Sequence, residues 1–453
     1  MRSKSHLLTH DLKGCQLQIF SATLRGWVNP ADAFILLHEG HENAFWLDRE
    51  NHPSQAFSVI GAGAQLVEGQ VLDELHGQFQ MNLEINDDLE LPFDWRPGLV
   101  GFVEFEGSYR FLSIDRAMVF DHVSRHMYFV GAFETKAAFD QWHHAGLLRL
   151  GLAGGQVAQY LERTDKKPAQ TSAAVLRHSP AEYLDLIEDA QRAISNGDVY
   201  QLCLTNQLRF RTQGDPLSIF LKLRKTHSAP YAAYLQFGDT AIASISPEQF
   251  LKVSRDGRLS SKPIKGTRPR SENFEQDDAI ANELLNNAKE RAENLMIVDL
   301  MRNDFSIVSE AESVTVSRLF DIESYSTVHQ LVSTVEGQLS ADATAIDALA
   351  ACFPGGSMTG APKPKAIELI REFENDRRGI YSGVLGYLGS DGSAEFGMVI
   401  RSLIFEVSDD AYEVSLGIGG GITIDSDPNA ELAETELKAK AFMDALGVAS
   451  PWR

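Results

Sequence analysis

The stretch Lys262-Pro263-Ile264-Lys265-Gly266-Thr267-Arg268-Pro269-Arg270 puts four cations and one hydroxyl on a segment bent by prolines and a glycine. In a chain of formal charge −22, with Lys+Arg 41 against Asp+Glu 63, this local positive excess suits an anionic ligand. Two carboxylate pairs suit another task. Glu290 and Glu293 fall three apart in a strong helical pattern, Glu431 and Glu434 repeat the spacing, and each pair therefore shares one helix face. If the two faces meet, their oxygens can hold a hard cation such as Mg²⁺. Leu416-Gly417-Ile418-Gly419-Gly420-Gly421-Ile422 reads as a strand entering a glycine turn, where bare backbone N–H groups can approach an anion. Ile422 stands where a dinucleotide fingerprint needs its last glycine and no Walker lysine follows, so neither nucleotide motif is present. The hydroxyl- and cation-rich segment Pro354 to Lys365, with Thr359 inside it, precedes a helix expected near Ala366, whose N-terminus can hold a carboxylate. Tyr381 and Arg401 fall in strand-like runs, and Arg401, between Ile400 and Leu403, calls for an anionic partner.

These groups need elements to position them. Up to about Leu161 the chain alternates short apolar runs with turn residues, and Ala44–Leu47, Leu99–Val103, Met118–Phe120 and Met127–Val130 read as strands. The polar stretch Lys166–Ser172 lacks periodicity and reads as a connection. Immediately after it, Ser179-Pro180-Ala181-Glu182 gives an N-cap, a first-turn proline and a capping-box glutamate. Leu184, Ile187, Ala190 and Ile194 follow at helical spacing, and Gly197 marks the end. Val199–Leu204 and Ala241–Ile245 read as strands, so residues 175–453 mix helix and sheet while residues 1–165 are β-rich.

Composition narrows the function classes. At 453 residues and 43% hydrophobic the chain can bury a large core. Its acidic balance argues against nucleic acid and anionic membranes, and no stretch reaches transmembrane length. Cys15, Cys203 and Cys352 form no metal or disulfide spacing, and Met1–Leu8 leads into no apolar leader segment, so a cytoplasmic location is expected.

The ordered set Pro263-Ile264-Lys265-Gly266-Thr267, Glu293 to Asp304, Phe353 to Ser357 with Thr359-Gly360-Ala361-Pro362-Lys363, and the glycine segment followed by Glu431 to Thr435 closely resembles the chorismate-utilising enzymes. The resemblance spans roughly Ser179 to Leu446 and is nearest to aminodeoxychorismate synthase component I. It implies an α+β fold like that of anthranilate synthase component I, a layered β/α sandwich forming a single large unit. It also implies Mg²⁺ on Glu293 and Glu434, with Glu290 and Glu431 reaching the ion directly or through water, and chorismate contacts at Gly266, Thr267, Tyr381, Arg401, Gly419, Gly420 and Gly421. Lys438 is a further candidate near the substrate carboxylate. His329 matches a family histidine near the active site.

Two positions separate the subfamilies. Gln201 stands where water-adding relatives resemble one another in carrying a lysine base, and Lys265 stands where anthranilate synthases usually carry alanine. The implied reaction is a transferase chemistry in which Lys265 adds to C2 of chorismate, Glu248 in Ser246-Pro247-Glu248-Gln249-Phe250 protonates the departing C4 hydroxyl, and ammonia displaces the lysine to give 4-amino-4-deoxychorismate, the precursor of 4-aminobenzoate and folate. Lys262 and Arg268, together with desolvation, are expected to favour the neutral amine of Lys265, with nearby carboxylates opposing this. No glutamine-hydrolysing cysteine motif is present, so a glutamine amidotransferase subunit is the implied ammonia source. Anthranilate synthase component I is the alternative reading, and a noncatalytic chorismate or aromatic amino-acid sensor, with a pocket near Phe45-Trp46-Leu47-Asp48, a second.

Overall fold

The computed structural model describes residues 17–79, 83–84, 90–166 and 170–452; Met1–Leu8, Cys15 and residues 167–169 of the expected connection lie outside them. Among the described residues the strands form two sheets, of 13 and 10 strands. Their apolar faces meet in one core, where Phe45, Leu47 and Val59 of the larger sheet pack with Phe102, Phe111 and Phe396 of the smaller. Helices cover the outer faces. Phe34, Phe220 and Phe442 pack beneath the larger sheet, and Tyr183, Ile187, Leu369 and Ile370 seal one end of it. The fold is an α+β unit of stacked layers.

Both sheets mix early and late chain. Asn43–Asp48 pairs with Tyr231–Phe237 in the larger sheet, and Gly98–Val103 pairs with Val384–Gly389 in the smaller. The polar connection is thus a loop within one body: Thr171 bridges Thr212, and Gln213 N–H donates to the Gln170 carbonyl. Among the described residues no helix is long and apolar enough to cross a membrane.

The local signals act as their chemistry requires. Ser179 and Glu182 form a reciprocal capping box at the start of the Pro180–Ser195 helix, and Gly197, at φ +82°, follows the Asn196 cap in the left-handed region that a glycine adopts freely. The helix expected near Ala366 runs from Lys363, with Pro364 in its first turn. Two expectations are corrected. The glycines of 417–421 do not make a turn: the strand Ala411–Ile422 runs straight through them, paired with Gln201–Thr212. Tyr381 and Arg401 lie not in strands but in connections flanking Val384–Gly389 and Ser402–Ser408, and Arg401 takes φ +53°.

Candidate active site

Lys265 sits on the strand Ile264–Pro269, hereafter the lysine strand. Gly266, at φ +76°, is the extra residue of a bulge: Lys265 pairs with Leu331 and Thr267 with Gln330 on Val328–Gln338. A Cβ on Gly266 would meet the Glu290 carboxyl at 2.9 Å, so only glycine lets the glutamate approach the bulge this closely.

Two helices carry the carboxylates. Ala288–Val308, the glutamate helix, buries Glu293, Asn294, Ile297, Val298, Met301 and Phe305. Pro428–Leu446 faces it and carries Glu431 and Glu434. Lys265 Nζ lies 3.3 Å from Glu293. Lys289 Nζ spans the helices, 3.3 Å from Glu431 and 3.9 Å from Glu293. Lys438 Nζ donates to Glu434 at 2.7 Å and to the Gly419 carbonyl at 2.6 Å, and Arg268 pairs with Glu290 at 3.3 Å and Glu283 at 3.0 Å. Each of the four expected metal glutamates therefore faces a cation. Burial and then the Glu293 charge push the Glu290 carboxyl up, while Lys438 and Lys289 outweigh burial to hold Glu434 down. Among the described residues no three metal-ligating side chains converge tightly enough to form a ready cluster. The donor set still fits a hard divalent cation: the oxygens are carboxylate, and a positive group, the Lys289 ammonium, already bridges the two helices.

The glycine-rich end of Ala411–Ile422 forms one wall. Ser402–Ser408 parts from it after Leu416, leaving that edge unpaired. Opposite Gly419 and Gly421, the N–H groups of Thr205 and Cys203 donate to Glu374 Oε1 and the Thr359 carbonyl, not across the ladder. Antiparallel alternation then points the N–H and C=O of Gly419 and Gly421 to the open edge, and Gly420 into the ladder. A Cβ at Gly421 would fall 2.2 Å from Gln201 Nε2 and 3.0 Å from Lys265 Nζ; one at Gly417 would fall 2.0 Å from the Tyr381 ring. These glycines make room for the side chains that line the site.

Gln201 is buried, and its Oε1 has no hydrogen-bond partner among the described residues. Thr359 Oγ1 donates to the Gly355 carbonyl at 3.1 Å, bracing its own loop. Arg401 is enclosed by protein yet open to solvent through the cleft; burial lowers it, Glu434 opposes this, and among the described residues no carboxylate pairs with it. Glu248 is buried, and desolvation pushes its carboxyl up to about 7 against a bond from Ser357 and the charge of Lys265. Thr267 is exposed beside the bulge. His329 has both ring nitrogens engaged, Nε2 with Asp277 at 2.9 Å and Nδ1 with Ser324 at 2.8 Å.

Of the opposing influences expected on Lys265, the carboxylates prevail. Burial alone would lower it, but Glu293, Cys203 and Glu248 together raise it, so the resting group is an ammonium. Lys262 and Arg268 do not drive off its proton, because they are spent on Glu323, at 2.7 Å, and on Glu283 and Glu290. Sequence reasoning also passed over Lys289, whose bridging role has no signal in spacing alone, and Ser357, the partner of Glu248. Apart from this cleft, a cavity of about 240 Å³ lies between the sheets, lined by Leu47, Arg49, Phe57, Phe93, Trp95 and Glu395 among others; of the Phe45–Asp48 stretch only Leu47 reaches it.

This chain belongs to the chorismate-binding enzyme family, whose model matches residues 45–444. It is 40% identical over 459 residues to an aminodeoxychorismate synthase of Streptomyces pristinaespiralis, covering 91% of this chain and 63% of that protein. It is 32% identical over 470 residues to aminodeoxychorismate synthase component 1 of Bacillus subtilis strain 168, covering 98% of this chain and 92% of that one. The crystal structure of anthranilate synthase component I from Streptococcus pneumoniae TIGR4 superposes with a TM-score of 0.71 at 26% identity, covering 98% of this chain and 95% of that one. The chain spans about half the length of several curated relatives it matches, from 44% to 63%.

Proposed function

We infer that the chain converts chorismate and ammonia into 4-amino-4-deoxychorismate, and the observation that carries this reading is the enclosed Lys265 amine, 3.3 Å from Glu293 at the glycine wall. The relatives named aminodeoxychorismate synthase support the same choice. Arg401, paired with no carboxylate among the described residues, and the N–H groups of Gly419 and Gly421 at the open edge suit the substrate carboxylates, with Thr267, Tyr381, Thr359 and Lys438 around them. Glu290, Glu293, Glu431 and Glu434 would hold Mg²⁺, which supplies positive charge for a chorismate carboxylate.

To attack, Lys265 must first lose its proton, and Glu248, with a pKa of about 7, can exchange protons near neutrality. The amine then forms a bond to C2, the ring double bonds shift, and the C4–O bond breaks as Glu248 gives its proton to the departing hydroxyl, which leaves as water. Ammonia adds at C4, the shift reverses, and Lys265 is expelled as the amine. His329, tied to Asp277 and Ser324, holds Val328–Gln338 beside the lysine strand.

Ammonia would come from a separate glutamine amidotransferase. Cys203 and Cys352 are buried, with thiols pushed up by desolvation, which makes both poor nucleophiles for glutamine. Two unpaired thiols also suit a reducing cytoplasm.

The test is product analysis with chorismate, Mg²⁺ and ammonium. Formation of 4-aminobenzoate only after an aminodeoxychorismate lyase is added supports the reading; direct appearance of fluorescent anthranilate overturns it. Lys265→Ala is expected to lose nearly all turnover, and chorismate mass should be trapped on the wild-type peptide containing Lys265. Full activity in that variant would remove the covalent step.

A further inference from the structure

The glutamate helix rests on the smaller sheet mainly through Ile297, Val298, Met301 and Phe305. Apolar contact has no direction, so these side chains do not by themselves fix where the helix stops along its axis, and a slip of one residue would move every group by about 1.5 Å. Three polar contacts join this helix to the segment bearing Lys265. Two are ion pairs, Arg268 with Glu290 and Lys265 with Glu293, and their members must let go for the site to work. The third involves no reacting group. Asn294, wholly buried, donates from Nδ2 to the Pro263 carbonyl at 3.2 Å, two residues before Lys265 and one residue after Glu293.

The Asn294 amide has one allowed orientation. Its Oδ1 accepts from Ser333 Oγ, and that hydroxyl in turn accepts from the Phe320 N–H at 3.0 Å. Ser333 N–H donates to the same Pro263 carbonyl at 3.2 Å. Flipping the amide would set two carbonyl oxygens face to face. The chain of bonds crosses Thr315–Ser324, Val328–Gln338, the helix and Pro263, and the Asn294 and Ser333 side chains within it are wholly buried.

We propose that Asn294 is a positioning residue that pins the glutamate helix in register against the lysine strand, and so sets the separation of Lys265 and Glu293. One buried amide fixing the register of an otherwise apolar contact is a known use of asparagine in helix pairs. The kinetic part of the inference rests on the lysine adduct proposed above.

The test uses the full chain with Asn294→Leu, Asn294→His and Val298→Ala. Leucine has the same branching and number of side-chain heavy atoms as asparagine and removes both bonds, while the Pro263 carbonyl keeps its Ser333 N–H and stays paired. Asn294→Leu is expected to lower kcat by about 10-fold or more, toward the ~10²-fold that a 1 Å misplacement can cause, with KM for chorismate changed less than about 2-fold. Histidine offers an N–H for Pro263 and a bare nitrogen for Ser333, so Asn294→His should recover most of kcat. Val298→Ala loosens the helix without touching the pin and should lower the melting temperature while leaving kcat near wild type. Retained kcat in Asn294→Leu, or an equal loss in Val298→Ala, overturns the proposal. A second readout needs no chorismate. Acylation of Lys265 by an amine-reactive ester, located by peptide mass, should be several-fold faster in Asn294→Leu than in wild type; an unchanged rate overturns the register claim whichever product the enzyme makes. Failure of the wild type to aminate chorismate would instead overturn the proposed function.

Discussion

Glu248 lies in the short connection after the strand Thr240–Ser246 and is buried, and its carboxyl reaches about 7 because burial penalises the charge. In the unfolded chain it titrates near 4.5. Between those values the folded state keeps a proton that the unfolded state has released, so stability is full below about 4.5 and falls as pH rises toward about 7, by roughly 3 kcal/mol in all. Glu248→Gln removes that slope. Its urea midpoint should match wild type near pH 4.5 and exceed it near pH 8; parallel curves would refute the shift. The same substitution removes the proton donor proposed above, and kcat should fall by about 10²- to 10⁴-fold with a smaller change in KM. The family-like Ser-Pro-Glu-Gln-Phe setting singled this residue out as a candidate, but its environment was not legible. The Lys265 ammonium shows the same limit: sequence displays Lys262 and Arg268 as neighbours, while the folded chain turns both to other carboxylates.

Elements explain what single residues do not. The glycines of 417–421 looked like a turn because glycine so often marks one. Their actual constraint is steric and comes from residues far away in sequence, Tyr381, Gln201 and Lys265. Two alanine substitutions separate the two kinds of crowding. At Gly421 the new Cβ meets the ends of two flexible side chains, which can move, so Gly421→Ala should fold and melt near wild type but lose about 10²-fold in kcat/KM as Gln201 and Lys265 are displaced. At Gly417 it meets the root of the Tyr381 ring, which cannot swing away, so Gly417→Ala should be destabilised by about 1–3 kcal/mol in denaturant titration. Full activity at 421, or undiminished stability at 417, would show that the wall is softer than described. The helices were legible because caps and periodicity are local: the capping box at Ser179 stands as read, and the pattern read over Lys289–Leu300 lies within the helix Ala288–Val308. Tyr381 and Arg401 were misplaced since apolar neighbours resemble a strand, and only the sheet pairing shows where each ladder ends.

At the scale of the molecule, the β-rich first third and the remainder of the chain share both sheets. Phe45 faces Leu235 across one pairing, and Phe102 faces Leu385 across another, so neither part can close its apolar face alone. Local sequence shows strands but not which distant strand each one meets, which is why the two stretches read as distinct regions. The shared sheets make a cooperative unit the physical expectation despite the length of the chain. Four of the five tryptophans, Trp27, Trp46, Trp95 and Trp142, lie in the first third, whereas the long helices that dominate far-ultraviolet circular dichroism lie mostly beyond residue 179. Tryptophan fluorescence and circular dichroism therefore report on opposite parts, and in urea their midpoints should coincide. Fragments divided within residues 167–169 should each remain unfolded or aggregate when expressed singly, and regain structure, if at all, only when mixed. Separate midpoints, or a first-third fragment that melts cooperatively by itself, would mean that the pairing of Asn43–Asp48 with Tyr231–Phe237 contributes little to holding the sheets together.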